Sequence, residues 1–206
     1  LLTAFCVTVV LTIVVPYAAR LYYLHATVAR EGALEVVSGT VRMARPGASA
    51  DIAANNGDPV LEGFTIKTDS TSRALITLFD GSTVYVFEDS ELFVKTLRLS
   101  RFTKHLTSIV LQERAGRLRI GVAPPTTGDL LFLVETPHAS VDLEDGSYSI
   151  EVGSQGTDVR VRAGLARVTA LRSEVNVKRG QRTTVSPGQT PAPPGPAALD
   201  LVVNGD

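Results

Sequence analysis

The chain has 206 residues, with 20 Lys and Arg against 21 Asp and Glu, for a formal net charge of -1. That balance gives no overall basic excess of the kind that nucleic acid or an anionic membrane surface selects. One cysteine, three histidines and no tryptophan exclude an internal disulfide and a Cys/His zinc cluster, and leave little for a sugar-stacking platform.

Leu1 to Ala19 reads LLTAFCVTVVLTIVVPYAA and carries no charged residue before Arg20. As a helix, this stretch rises about 1.5 Å per residue and nearly matches a hydrocarbon core of roughly 30 Å. Tyr17, Arg20, Tyr22 and Tyr23 cluster where a membrane-interface belt belongs. The segment is therefore read as a retained transmembrane helix over residues 1–24, followed by a juxtamembrane linker over 25–33. A cleaved signal peptide is disfavoured because no basic n-region and no A-x-A site are seen. Cys6 follows the bulky Phe5, which argues against lipidation. Arg20 and Arg30 weakly favour a cytoplasmic placement of the downstream chain, so charge alone leaves the topology open.

From Leu34 the pattern changes to period two with frequent turn residues, which predicts an all-β body. Two Asp-Gly pairs, Asp80-Gly81 and Asp145-Gly146, sit between apolar alternating runs and predict hairpins with type I′ turns. They belong to longer matching units. Gly39-Thr-Val-Arg-Met43 matches Gly116-Arg-Leu-Arg-Ile120, and Gly57-Asp58 matches Gly128-Asp129. Phe64-Thr-Ile-Lys-Thr68 matches Phe132-Leu-Val-Glu-Thr136, and a partial third copy runs from Gly164 to Gly180. A single hairpin cannot bury its own face, so the repeats predict stacked units sharing one core, as a rolled β-sandwich or short β-solenoid-like body.

Lys95, Arg98, Arg101 and Lys104 recur at intervals of three between the units. They are read as the solvated face of connecting strands rather than a phosphate or headgroup site. Residues 189–206 form a Pro-rich tail, expected to be an extended spacer with a short apolar end at Leu199 to Val203. That end is either frayed or a strand that docks on a sheet edge.

The ordered pieces Gly39-Thr-Val, Phe64-x-Ile-x-Thr68, Ala74-x-Ile-x-Leu-x-Asp80-Gly81-Ser82, Gly116-Arg-Leu and Phe132-x-Val-x-Thr136-Pro137 resemble the FecR family. So does the close, Val175-x-Val-x-x-Gly180-Gln with Val185-x-x-Gly188, so that the resemblance covers residues 34–188. One departure is Gly146-Ser147, where the family usually shows Gly-Thr. The resemblance implies a domain outside the cytoplasmic membrane of a bacterium, against the hint from Arg20 and Arg30. In founding members that domain passes a transporter's state to a cytoplasmic anti-sigma region, which would lie upstream of Leu1.

No catalytic constellation is found. His138 near Ser140, Asp142 and Glu144 lacks an elbow or oxyanion loop and is read as a turn histidine. Asp51, Asp58 and Asn55-Asn56 lack calcium-loop spacing, and Gly153-Ser-Gln-Gly156 is no phosphate cradle because no helix follows. No cofactor, metal, nucleic acid or small-molecule substrate is expected. The leading reading is a non-enzymatic, membrane-anchored scaffold, an accessory subunit whose partners are the bilayer, through residues 1–24, and integral membrane proteins. The alternative is a FecR-type transmembrane signal transducer of the anti-sigma regulator kind, and the second alternative is a cell-envelope ligand-binding module.

Overall fold

A computed structural model describes residues 12, 14–17, 26–48, 50–101, 106–126 and 128–197. The anchor expected over residues 1–24, with Arg20, Tyr22 and Tyr23, lies outside the described residues except for a few helical positions that include an exposed Tyr17. Among the described residues no helix is long and apolar enough to cross a membrane.

The rest is strand. In chain order the first strands are β1 (Thr27–Ala29), β2 (Gly32–Ser38), β3 (Arg42–Ala44), β4 (Ile52–Ala53), β5 (Pro59–Val60), β6 (Thr65–Lys67), β7 (Arg73–Thr77), β8 (Thr83–Val86) and β9 (Glu91–Ser100). The 17-residue β10 (Leu106–Val122) follows. Then come β11 (Asp129–Glu135), β12 (Ser140–Leu143), β13 (Gly146–Gly153), β14 (Gly156–Ala163), β15 (Leu165–Ala170), β16 (Ser173–Lys178), β17 (Gln181–Val185) and β18 (Gly195–Pro196).

These strands make two curled sheets that share β10. The first runs β4-β3-β6-β9-β10-β11-β12-β15-β16, with β1 added to the far half of β9. The second runs β5-β2-β7-β8-β10-β13-β14-β17-β18. All pairings are antiparallel except β10 with β11. The N-terminal half of β10 belongs to the first sheet and its C-terminal half, from Gly116, to the second.

Alternation places one apolar row of each strand between the sheets, as in Leu34, Ile66, Ile76, Val84, Leu118, Phe132, Ile150 and Val161, all essentially without solvent contact. Clusters of this kind from both halves of the chain are continuous, so the matching units share one core as their incomplete faces require.

The matching pieces have a shared structural role. Thr68 and Thr136 follow β6 and β11, and each turns its hydroxyl into a corner, Thr136 into the one that comes next and Thr68 into the one between β8 and β9. Thr68 Oγ1 donates to the Phe87 carbonyl at 2.6 Å, and Thr136 Oγ1 to the Ala139 carbonyl at 2.9 Å. Gly39 and Gly116 each stand where the chain changes sheets, in opposite directions, from second to first at Gly39 and from first to second at Gly116.

The tail departs from the expected free spacer. Ala192 N–H donates to the Thr184 carbonyl at 2.9 Å, Thr183 Oγ1 donates to the Ala192 carbonyl at 2.6 Å, and Gly195 pairs with Arg182. Pro191 is buried. Prolines lack N–H groups, and an outermost strand tolerates them because one side of its ladder is unused.

Candidate functional site

The sheet crossover at Gly116 is held from the side. Gly116 has φ +96, and a β carbon there would stand 2.1 Å from Ser90 Oγ. That close approach lets the Arg117 N–H donate to Ser90 Oγ at 3.0 Å, while the Ser90 N–H donates to Thr68 Oγ1 at 2.9 Å. On the outer surface beside it, the Arg117 guanidinium stacks 3.9 Å over Phe87, which packs on Tyr85, and Arg73 pairs with Glu88. Arg73, Phe87, Glu88, Arg117 and Glu151 line a shallow depression of about 290 Å³.

Glu113 lies three residues before the crossover, on the inward row with Ile109 and Leu111, and is 0% exposed. Neither carboxyl oxygen has a hydrogen-bond partner among the described residues. Burial drives its pKa well above the ordinary carboxylate range, and the Glu151 carboxylate adds to the rise.

A second depression, of about 320 Å³, opens between β11, β12 and β15 and is lined by Asp129, Asp142, Glu144, Asp145 and Arg167. Arg167 neutralises part of it by pairing with Asp142 at 3.2 Å and with Glu174 at 3.2 Å. Beneath it the buried Tyr148 hydroxyl donates to the Glu144 carbonyl at 2.9 Å and to the Leu165 carbonyl at 3.1 Å, and burial pushes its pKa up to about 12. Among the described residues no group of His, Cys, Asp or Glu is arranged to hold a metal ion.

The two Asp-Gly pairs expected to be alike are not. Asp80-Gly81 does join β7 to β8, but through a three-residue loop, Phe79 to Gly81. Leu78 N–H donates to the Ser82 carbonyl, Gly81 N–H donates to the Leu78 carbonyl, and only Gly81 (φ +89) of the pair is left-handed. This is a type I turn with a glycine bulge, not the type I′ turn expected, because two left-handed residues are not needed when a third residue absorbs the twist. Asp80 accepts from Ser82 N–H at 3.0 Å and from its hydroxyl at 2.7 Å.

Asp145-Gly146 makes no hairpin at all. Leu143 pairs with Phe132 and Ala166 in the first sheet, whereas Gly146 pairs with Val122 in the second. The pair is a corner between sheets, and a β carbon on Gly146 would stand 2.2 Å from the Ala163 carbonyl oxygen.

His138 points Nδ1 at Thr157 Oγ1, 3.1 Å away, and Thr157 donates to Thr136 Oγ1 at 2.9 Å. Its neighbours are the Thr157 and Thr136 hydroxyls, and no carboxylate bonds to it among the described residues. Two of the basic residues between the units are neutralised, Lys95 on Glu135 at 2.8 Å and Arg98 on Glu62 at 2.8 Å. Arg98 holds the Glu62 pKa below its usual range. Arg101 also has a partner, and Lys104 lies outside the described residues. Asp58 accepts from Asn55 N–H, and Asp51 pairs with Lys67.

The sequence pattern described as FecR protein matches residues 64–167, which is half of the chain. The chain belongs to the FecR family. Two crystal structures of a candidate anti-sigma factor from Parabacteroides distasonis are similar in fold, with TM-scores of 0.50 and 0.52 at 18% and 17% identity. Each likeness covers 64% of this chain and 59% of that one, so the chain spans under two thirds of that protein's length. No curated protein matches the sequence. The FecR match begins at Phe64 and ends at Arg167. It thus holds the Thr68 and Thr136 corners, the β10 crossover, Glu113 and both depressions.

Proposed function

We propose that this chain is the extracytoplasmic part of a FecR-type signal transducer, anchored in the cytoplasmic membrane of a bacterium by residues 1–24. The observation that carries the reading is the FecR match over residues 64–167. The likeness to a candidate anti-sigma factor agrees with it. The same match displaces the accessory-scaffold reading from first place, since that reading rests on no feature peculiar to a scaffold. A regulatory, non-enzymatic role is also in keeping with the bonding of Thr68, Thr136 and His138 within the fold. In this reading the β body reports the state of a partner protein to an anti-sigma region on the other side of the bilayer. Integral membrane proteins are the expected partners.

The test is transcriptional. Deleting the gene in its native host and sequencing the RNA is expected to change a compact set of promoters that share one alternative sigma-factor motif. Restoring the full-length gene should reverse the change. An unaltered transcript profile, together with stoichiometric recovery of the chain with an integral membrane assembly, would return the scaffold reading to first place. Proteolysis of spheroplasts supplies the topology, and a β body protected from external protease contradicts the placement proposed.

A further inference from the structure

The near-zero net charge conceals a segregation that only the sheet registers reveal. On the outer surface of the first sheet five cations are matched by acids, Lys67 with Asp51, Lys95 with Glu135, Arg98 with Glu62, Arg114 with Glu91 and Arg167 with Asp142, while Arg42 and Lys178 make no ion pair among the described residues. The outer surface of the second sheet is different. Arg119 on β10 is opposite Ser149 on β13, Ser149 is opposite Arg160 on β14, and Arg160 is opposite Arg182 on β17. Inward neighbours Leu118, Ile120, Ile150, Val159, Val161 and Thr183 are buried, so this row faces solvent. Arg117 and Arg162 lie two residues along their strands from Arg119 and Arg160 and share the face.

Beside these five arginines stand the carboxylates Asp158 and Glu151, with Glu88 next to Arg117 and Glu35 three strands from Arg119 on the same row. Asp158 is shared, 2.7 Å from Arg160 and 3.9 Å from Arg182, and Glu151 is opposite Arg117 and Asp158. Arg119 and Arg162 make no ion pair among the described residues. Like charges placed directly across a ladder, as Arg160 and Arg182 are, destabilise the pair. Arg119 and Arg162 without an ion pair, and Arg160 and Arg182 on one shared carboxylate, leave this stretch of the second sheet with more guanidiniums than carboxylates and suit it to negative charge.

We propose that the outer face of the second sheet is a docking surface for an acidic polypeptide segment, one rich in Asp and Glu. Strands about 4.8 Å apart put Arg119 and Arg182 about 14 Å apart, a span met by four or five residues of extended chain. Guanidinium forks take carboxylates in paired hydrogen bonds, and the Ser149 hydroxyl between two of them adds a donor. Bilayer headgroups share the charge, and the test below separates them from a polypeptide.

The proposal does not depend on signalling, because binding is measured on the chain itself. The full chain in phosphatidylcholine nanodiscs is titrated into fluorescein-labelled deca-glutamate and followed by anisotropy. Binding is expected to weaken about tenfold between 50 and 200 mM salt, as exposed charge pairs are screened. Arg119→Gln with Arg182→Gln should weaken it about tenfold or more, since two charge-assisted contacts are lost. Arg119→Lys with Arg182→Lys should restore most of it, and Lys95→Gln with Arg98→Gln on the first sheet should leave it unchanged. Arg119→Gln alone, where no ion pair is lost, gives the comparison if the double variant unfolds. The proposal is overturned if the Gln variants bind as wild type, or if the first-sheet variant loses as much. Phosphatidylglycerol vesicles displacing the peptide at a lower anion concentration than unlabelled deca-glutamate would assign the face to lipid instead.

Discussion

Glu113 is the residue at which composition and structure part. In the sequence it is one of 21 acids, within Gln112-Glu113-Arg114, and reads as part of a polar stretch. Its burial comes from register: Leu111 and Glu113 share the inward side of β10, opposite Val94 and Leu92. No local pattern announces that, because the inward row is set by pairing with strands distant in the chain. A carboxyl enclosed without a partner is kept neutral, and its presence costs stability relative to an apolar residue. Glu113→Leu should therefore stabilise the fold by about 1–3 kcal/mol at neutral pH. The pH dependence has a definite sign. The native pKa is raised, so the unfolded chain releases the proton at lower pH than the native state does. Stability is unaffected by this group below the ordinary carboxylate range and falls as pH rises through the window up to the raised native value. Urea unfolding at pH 4, 6 and 8 should show wild type losing ground steadily to Glu113→Gln, and parallel curves for the two proteins would refute it.

At the scale of elements, turn chemistry was legible in kind and misleading in partner. The Asp80-Gly81 signal lies between β7 and β8, which do pair. The Asp145-Gly146 signal is the same dipeptide in the same apolar setting, yet it turns the chain out of one sheet into the other. A dipeptide specifies a change of direction, and long-range pairing decides which strand receives the chain. The converse also occurs. The hairpin with two left-handed central residues is at Leu171-Arg172 (φ +47 and +65), between β15 and β16, where neither residue type advertises it. Such residues are tolerated there because the six-residue ladder on either side over-determines the turn. The contrast gives a measurable difference. Gly81→Ala meets only the Ala123 methyl at 3.8 Å and should cost about 1 kcal/mol, from φ alone. Gly146→Ala drives its methyl into the Ala163 carbonyl and should cost about 3 kcal/mol or more. Equal melting temperatures for the two variants would mean that both positions are simple turns after all.

For the whole molecule, the repeated pieces and the period-two pattern were enough to read the all-β class and a core shared between units. The closure of both sheets on β10 was not, because 17 residues of one strand serve two sheets only by changing partners at Gly116. The arginine face escaped notice for a similar reason: its members come from β10, β14 and β17 and are neighbours only across the ladders.

The way the chain enters the body bears on mechanics. Tension arriving through residue 26 meets first the three-residue ladder of β1 on β9, and only then β2, whose Leu34 is buried in the core. Stretching a single molecule between its N-terminus and a distal anchor should give an early, weak rupture that frees residues 27–31, about 15–20 Å of slack. A second, much stronger rupture comes when the core yields. The entry strand is then a fuse in series with the β body, which lets go at small loads and spares the core.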